Sequence, residues 1–144
     1  MTDVRVRHAR ADDLPFVAQD GHAPDDHVAS LIARQAVWVA ESAEQPIGYL
    51  RLEYLWGRLP FIALVRVLPE ARGRGAGRAL LEAVEQQLRL QRVSALYSSS
   101  QADEPGPQSW HRHTGFTECG IIAGVNEGGV DEVIFRKRLE EPPG

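Results

Sequence analysis

The sequence contains very little cysteine and no long apolar run. Cys119 is the single cysteine among 144 residues, which excludes an intrachain disulfide framework. None of the apolar stretches approaches the ~20 residues that a membrane-spanning helix needs. The first residues also lack the order of charged and apolar positions that is typical of a signal peptide. We therefore expect a cytoplasmic protein that does not bind a membrane.

Positive charge is not in excess either. The chain has 16 Lys and Arg residues against 20 Asp and Glu residues, a formal net charge of -4. Bulk electrostatics therefore do not favour nucleic acid as a partner. A hydrophobic content of 43% and a length of 144 residues are typical of one globular domain with its own core. We expect a single domain over residues 1–144.

A strand, a loop and a helix follow one another through residues 61–88. An apolar run stops at Pro69, a loop of alternating glycine and arginine follows, and then apolar residues recur at helical spacing. Glycines let backbone N–H groups approach a ligand closely, and the free N–H groups at a helix N-terminus favour an anion. The segment therefore predicts a pyrophosphate site, formed by Arg72, Gly73, Arg74, Gly75, Ala76, Gly77 and Arg78.

Two familiar phosphate-binding loops do not fit this segment. A P-loop needs Gly-Lys-Ser/Thr at its end, but here Gly77 is followed by Arg78 and Ala79. A dinucleotide loop needs a third glycine where Arg78 stands, and an acidic residue about twenty positions later. The next strand-like run, residues 93–99, contains no acid.

The pattern Arg72-x-x-Gly75-x-Gly77 instead resembles the acetyl-CoA pyrophosphate loop of the GNAT superfamily of N-acetyltransferases. Residues 111–116, which end in Gly115-Phe116, are similar to the family's helix that ends in Gly-Phe. The resemblance is strongest from about residue 61 to residue 116. The structural alternative is a glycine-rich turn from strand to helix with solvated arginines.

The resemblance implies an α/β (α+β) fold with a mixed, splayed central β-sheet flanked by helices. It also implies an acetyltransferase that moves the acetyl group of acetyl-CoA directly to a primary amine of a small molecule or peptide. One alternative is a non-catalytic domain that binds acetyl-CoA as a sensor or interaction module. Another is a phosphate-binding interaction domain unrelated to acetyl-CoA.

Periodicity predicts the order of the elements. The unit around the loop is β-loop-helix-β, so its two strands should be parallel. The polar segment 98–107 is predicted to be a loop, and the last two strands should form a hairpin. Strands are predicted at 4–8, 37–41, 47–56, 61–68, 93–99, 116–125 and 130–139; helices are predicted from 12 to about 20, from 25 to 32, from 77 to 88 and from 108 to 114.

The resemblance also assigns roles in the reaction. The main chain of Val65 and Val67 would pair with the pantetheine arm, and an N–H there would donate to the thioester oxygen. Many members carry a glutamate on this strand that acts as the general base. This chain has Ala63 and Leu64 at about that place. We therefore expect Glu53 on the neighbouring strand to act as the base instead. An alkyl ammonium with a pKa of about 10.4 needs such help to lose its proton.

The proton for the leaving thiolate is assigned to His111, which stands where members often place a tyrosine. A histidine with no catalytic role is the alternative. Cys119 is expected to fill the core rather than to act as an acyl-enzyme nucleophile.

The acceptor site is expected near residues 20–31 and 54–56, with Asp20 among the acids that attract a cation. No metal is expected, because His22 and His27, or His111 and His113, lack partner ligands. A homodimer is left open.

Overall fold

The computed structural model describes residues 3–139. The strands are β1 (Val4–His8), β2 (Val37–Ser42), β3 (Gln45–Leu55), β4 (Leu59–Val67), β5 (Ala95–Gln101), β6 (Thr117–Ile122) and β7 (Glu132–Arg138). The helices are α1 (Leu14–Val17), α2 (Asp25–Ala33), α3 (Ala76–Leu90) and α4 (Pro105–His113). Three short 3-10 turns lie at Ala11–Asp13, Pro69–Ala71 and Glu127–Gly129.

The seven strands form one sheet in the order β1-β2-β3-β4-β5-β7-β6. β4 and β5 are parallel and pair at Phe61 and Tyr97, as the β-loop-helix-β pattern predicts. β1 pairs with β2, β2 with β3, β5 with β7 and β6 with β7, all antiparallel. The predicted mixed sheet with flanking helices is therefore confirmed.

The chain divides into two compact units. The first contains Met1–Glu53 and Ala63–Gln87, and the second contains Tyr54–Ile62 and Leu88–Gly144. In the first unit, Leu80, Leu81 and Val84 give α3 its buried face, as their helical spacing predicts. In the second unit, Leu96 and Phe135 are completely buried. The prediction of a single domain over residues 1–144 stays a prediction.

The turn between β2 and β3 consists of two residues, and neither of them is glycine. Ala43 and Glu44 have φ of 51° and 63°, which are the positive values that a type I′ turn requires at both central positions. The next turn contains Trp56 with φ of 54°, so the expectation that this residue belongs to the strand is wrong. Its side chain is 82% exposed.

The segment 98–107 differs most from its prediction as a loop. β5 extends to Gln101, and α4 begins at Pro105 rather than at residue 108. Proline is tolerated in a first helical turn because the N–H groups of that turn have no intrahelical partner in any case. Pro105 and Pro107 therefore mark the start of a helix here, and not a break.

No helix among residues 3–139 is long and apolar enough to cross a membrane.

Candidate active site

The predicted pyrophosphate loop lies in the first unit, between the end of β4 and the start of α3. Gly73 and Gly75 have φ of 84° and 82°, in the left-handed region that favours glycine. A Cβ added at either glycine would meet no atom within 4 Å, so open space surrounds the loop backbone. The glycines are therefore required by backbone conformation, and the space beside them leaves room for a ligand.

The helix start directs donors into this space. The N–H of Ala79 donates to the carbonyl of Gly75, 2.9 Å away, which makes Gly75 the N-cap of α3. The preceding N–H groups, those of Ala76, Gly77 and Arg78, then have no intrahelical acceptor. Together with the helix dipole, they favour an anion at this end of the helix.

Three arginines add positive charge to the loop. Arg72, Arg74 and Arg78 are all exposed. The Nε of Arg72 donates to the carbonyl of Val67, 3.4 Å away, at the end of β4. Charged guanidinium groups and free backbone N–H groups thus belong to one short segment, as phosphate recognition requires.

Gly48 on β3 is a residue that the sequence prediction missed. A Cβ at this position would lie 2.8 Å from the carbonyl oxygen of Arg66 and 3.4 Å from the Cα of Val67. The N–H of Leu68 also donates to the carbonyl of Ile47, 2.8 Å away. The lack of a side chain therefore lets β3 approach the end of β4 closely. A glycine inside a strand pattern is the signal that could have identified it.

Glu53 lies on β3 in the first unit, beside a histidine of α2. Its Oε2 is 3.2 Å from the Nε2 of His27, and the two side chains are 39% and 41% exposed. A half-exposed carboxylate can accept a proton from a substrate and return it to solvent. This contact with His27 has no signal in the sequence.

A buried ion pair connects the end of α1 to β3. Arg51 donates to both carboxylate oxygens of Asp20 and also to the carbonyl of Val17, 2.8 Å away. The hydroxyl of Tyr49 donates to Asp20 Oδ1 over 2.8 Å. The side chains of Arg51 and Asp20 are only 3% and 1% exposed.

This network fixes the charge of Asp20. Burial alone would raise the pKa of the carboxyl, but hydrogen bonds from Arg51 and Tyr49 outweigh it and lower the pKa below its ordinary value. Burial, and then the contact with Asp20, raises the pKa of the Tyr49 hydroxyl. The expectation that Asp20 attracts a substrate cation is wrong, because Arg51 already neutralises its buried charge.

His111 lies on α4 in the second unit and is 3% exposed. Its Nδ1 is 2.7 Å from the carbonyl of Pro107, and its Nε2 is 2.7 Å from the hydroxyl of Ser98. A carbonyl only accepts, so Nδ1 carries the proton and donates it to Pro107. In the neutral ring, Nε2 then accepts from Ser98. The ring stacks on Phe135 with centroids 4.4 Å apart.

Burial lowers the pKa of His111, although the Pro107 carbonyl and Glu132 act in the opposite direction. The imidazole is therefore neutral at pH 7, and its free lone pair is engaged by Ser98. Any proton that it gives or takes through Nε2 passes through the Ser98 hydroxyl. Ser98 is a second residue that the sequence prediction missed, and nothing in its polar strand context marks it.

Gly115 and Phe116 have a structural reason for their positions. The N–H of Gly115 donates to the backbone carbonyl of Arg112, and the N–H of Phe116 donates to the backbone carbonyl of His111. These two hydrogen bonds form the Schellman motif that ends α4. Gly115 takes the left-handed position with φ of 98°. Phe116 is buried with its ring 5.3 Å from that of His111.

Cys119 lies on β6, whose residues are all exposed. The expectation that it fills the core is therefore wrong, because β6 is the edge strand of the sheet and Cys119 sits at an irregularity of its pairing with β7. Partial burial raises the pKa of the thiol, which disfavours the nucleophilic thiolate. Among the described residues, no group of three His, Cys, Asp or Glu side chains is arranged to hold a metal.

Known proteins resemble this chain in sequence pattern and in fold. The acetyltransferase (GNAT) family profile matches residues 4–116. A ribosomal-protein-alanine N-acetyltransferase from Brucella melitensis has a TM-score of 0.77 at 24% identity, over 93% of this chain and 99% of that one. Ard1 from Thermoplasma volcanium has a TM-score of 0.85 at 16% identity, over 96% and 99%.

A third similar structure was solved with ligands. N-acetylglutamate synthase from Neisseria gonorrhoeae, complexed with coenzyme A and N-acetyl-glutamate, has a TM-score of 0.79 at 20% identity, over 98% of this chain and 36% of that one. No curated protein sequence matches this chain significantly. The family match covers most of the chain, including the strand, loop and helix of the predicted pyrophosphate site and the Gly-Phe helix end. The chain therefore belongs to the acetyltransferase (GNAT) family.

Proposed function

We propose that this protein transfers the acetyl group of acetyl-CoA directly to a primary amine of a small molecule or peptide. The observation that carries the proposal is the loop between β4 and α3, where left-handed glycines, free helix N–H groups and exposed arginines share one segment. Coenzyme A presents a diphosphate that matches these donors in charge and size.

The cofactor-binding residues follow from this loop. The main chain of residues 72–78 holds the diphosphate, with Arg72, Arg74 and Arg78 as cationic partners. The main chain of Val65 and Val67 pairs with the pantetheine arm, and an N–H there stabilises charge on the thioester oxygen. The close approach of Gly48 to the Arg66 carbonyl supports a fixed position for this end of β4.

The chemical step forms a C–N bond and breaks a C–S bond. The amine lone pair attacks the thioester carbon, the amine proton passes to Glu53, and the CoA thiolate leaves and then gains a proton. Glu53 suits the base role because it is half-exposed and accessible to solvent. We assign the final proton to His111 in its protonated form: Nε2–H gives its proton to the Ser98 oxygen, the Ser98 hydroxyl passes its own proton to the thiolate, and the imidazole returns to the neutral form.

An amine panel with acetyl-CoA tests the activity directly. The panel includes a peptide with an N-terminal alanine and free glutamate, which are suggested by the names of the Brucella and Neisseria proteins. Thiol release is followed with a chromogenic reagent, and mass spectrometry must find the amine heavier by one acetyl group. Cys119 is exposed, so Cys119→Ser removes its own reaction with the reagent.

Two results distinguish the alternatives. Binding of acetyl-CoA without acetylation of any amine would favour a non-catalytic acetyl-CoA-binding domain. Equal affinity for acetyl-CoA and ADP would favour a phosphate-binding domain unrelated to acetyl-CoA.

Glu53→Gln should lower kcat with little change in acetyl-CoA affinity, because the carboxylate acts on the amine and not on the cofactor.

A further inference from the structure

The side chains of His27 and Glu53 meet in the first unit, where the start of α2 lies against β3. The Nε2 of His27 is 3.2 Å from the Oε2 of Glu53. A carboxylate oxygen offers only lone pairs, so this contact is attractive only when Nε2 carries a proton. His27 is therefore a donor to Glu53, in either the neutral or the charged form of its ring. The contact engages one of the two carboxylate oxygens.

The backbone on both sides of this contact is fixed by the core. His27 directly precedes Val28 of α2, which is fully buried. Glu53 directly follows Leu52 of β3, which is also fully buried and whose N–H donates to the carbonyl of Ala36, 2.8 Å away. The two Cα positions are therefore set by packing, and only the side-chain torsions of His27 and Glu53 are left to adjust.

The nearest cation along β3 is engaged elsewhere. Arg51 lies two positions before Glu53, so the two side chains leave the same face of the strand. Its guanidinium donates to both carboxylate oxygens of Asp20 and to the carbonyl of Val17, and its side chain is only 3% exposed. The donor against Glu53 is thus His27, which comes from a different element and joins α2 to the strand of the proposed base.

The contact between His27 and Glu53 is too exposed to act mainly as a support for the fold. The two side chains are 41% and 39% exposed, and ion pairs in such positions contribute little to the free energy of unfolding. Its main physical effect is on orientation. A glutamate side chain without a partner populates several rotamers, whereas a donor at a fixed position selects those that bring one oxygen to it.

We propose that His27 holds the carboxylate of Glu53 in the orientation in which its other oxygen, Oε1, accepts the proton of the amine. The inference rests on the proposed function, because it adds a positioning residue to the base assigned there. The amine proton moves to Oε1 as the amine nitrogen bonds to the thioester carbon. Nε2 of His27 donates to Oε2 throughout, so no proton needs to pass through the imidazole. General-base catalysis depends steeply on such placement.

Two substitutions of His27 separate the donor from the ring. The side-chain nitrogen of glutamine is about as far from Cα as the Nε2 of histidine, so His27→Gln keeps an N–H donor. His27→Phe keeps an aromatic ring but removes the donor. It should lower kcat by about tenfold, because Glu53 then spreads over its other rotamers. His27→Gln should retain most of the natural kcat. Neither change should alter KM for acetyl-CoA, whose proposed binding residues lie on β4 and the loop after it.

The Glu53→Gln background distinguishes positioning from a direct role. His27 lies within residues 20–31, where the acceptor is expected, so a direct contact with the amine is the main alternative. If His27 acts through Glu53, His27→Phe should change kcat by less than about twofold once Glu53→Gln is present. A histidine that contacts the amine itself would lower kcat/KM by the same factor in both backgrounds.

Controls separate the effect on kcat from an effect on folding. His27→Phe and His27→Gln should both keep the natural Tm to within about 2 °C, since the pair is half-exposed. His113→Phe removes another exposed histidine, whose Nδ1 lies 2.8 Å from the carbonyl of Ser109 in its own helix. It should leave kcat unchanged.

The natural chain, assayed first with the amine panel, keeps the two proposals apart. If it acetylates no amine, the proposed function fails, and the role of His27 fails with it. If it does acetylate an amine, three results would overturn the role of His27 alone. They are an unchanged kcat in His27→Phe, equal losses in His27→Phe and His27→Gln, and a loss from His27→Phe that is as large in the Glu53→Gln background as in the natural one.

Discussion

The substitution Gly48→Ala tests how closely β3 controls the end of β4. The added Cβ would lie 2.8 Å from the carbonyl oxygen of Arg66 and 3.4 Å from two atoms of Val67. The nearest atom belongs to the backbone, so no side-chain rotation can relieve the contact. The strands must separate by some tenths of an ångström, and such overpacking costs about 1–3 kcal/mol of unfolding free energy.

That cost predicts a measurable change in stability. For a chain of this length, a loss of 1–3 kcal/mol corresponds to a fall in Tm of roughly 4–12 °C. Calorimetry or circular dichroism measures it. Gly120→Ala is the matched control, because Gly120 is also a strand glycine but a Cβ there would meet no atom within 4 Å. Its Tm should be equal to the natural value or slightly higher.

The same substitution should affect the reaction. The displaced peptide joins Arg66 to Val67, whose main chain we assign to the pantetheine arm and the thioester oxygen. Displacement of these groups by a fraction of an ångström should raise KM for acetyl-CoA and lower kcat, since catalysis depends steeply on position. If Gly48→Ala and Gly120→Ala have the same Tm and the same kinetics, the contact between β3 and β4 does not position the site.

Four further substitutions test individual polar and ionisable groups. Asp20→Asn should lose about 3–5 kcal/mol at pH 7, because it leaves Arg51 buried without its charge partner. Folding lowers the pKa of Asp20, so the ion pair contributes its full stabilisation above about pH 4 and less below it. In urea unfolding, the difference in unfolding free energy between Asp20→Asn and the natural chain should therefore be smaller at pH 3 than at pH 7. A difference that does not change with pH would contradict the ion pair. The lowered pKa of His111 means that the natural chain loses stability as pH falls below about 6.5, and His111→Gln should remove part of that loss. Ser98→Ala should lower kcat as His111→Gln does, with acetyl-CoA binding retained; an unchanged kcat in both would remove the pair from the mechanism. The Cys119 thiol should react with iodoacetamide more slowly at pH 8 than a free thiol, and Arg136→Gln should slow it further, because Arg136 lowers the thiol pKa against the effect of partial burial.

Sequence patterns predicted most elements of the fold because the strands and α3 have strong periodicity. β1 has the predicted bounds, and β4 and β5 are parallel as expected. The errors lie at element ends. β5 begins at Ala95 and not at residue 93, because the Schellman motif of α3 uses Val93. The start of α4 was predicted too late because Pro105 and Pro107 are typical of loops. Both are also compatible with the first turn of a helix, which is where the structure has them.

The site was less predictable than the fold, for a physical reason. The loop from Arg72 to Arg78 is contiguous in sequence, so its glycines, charges and following helix can be recognised together. The contacts of Asp20 with Arg51, of Glu53 with His27 and of His111 with Ser98 join residues 13 to 31 positions apart. No local pattern encodes them, although the contacts of Asp20 and His111 change the pKa of each group.

The two motifs that carry the family resemblance have different physical origins. Gly73 and Gly75 have no neighbour within 4 Å of an added Cβ, so their conformations shape a surface that is open to a ligand. Gly115 and Phe116 instead end α4, and their backbone hydrogen bonds and buried ring are complete without any ligand. Substitution of Gly115 should therefore reduce stability first, and substitution of Gly75 should reduce cofactor affinity first. The Gly-Phe motif is evidence for the fold, whereas the glycine-arginine loop is evidence for the function.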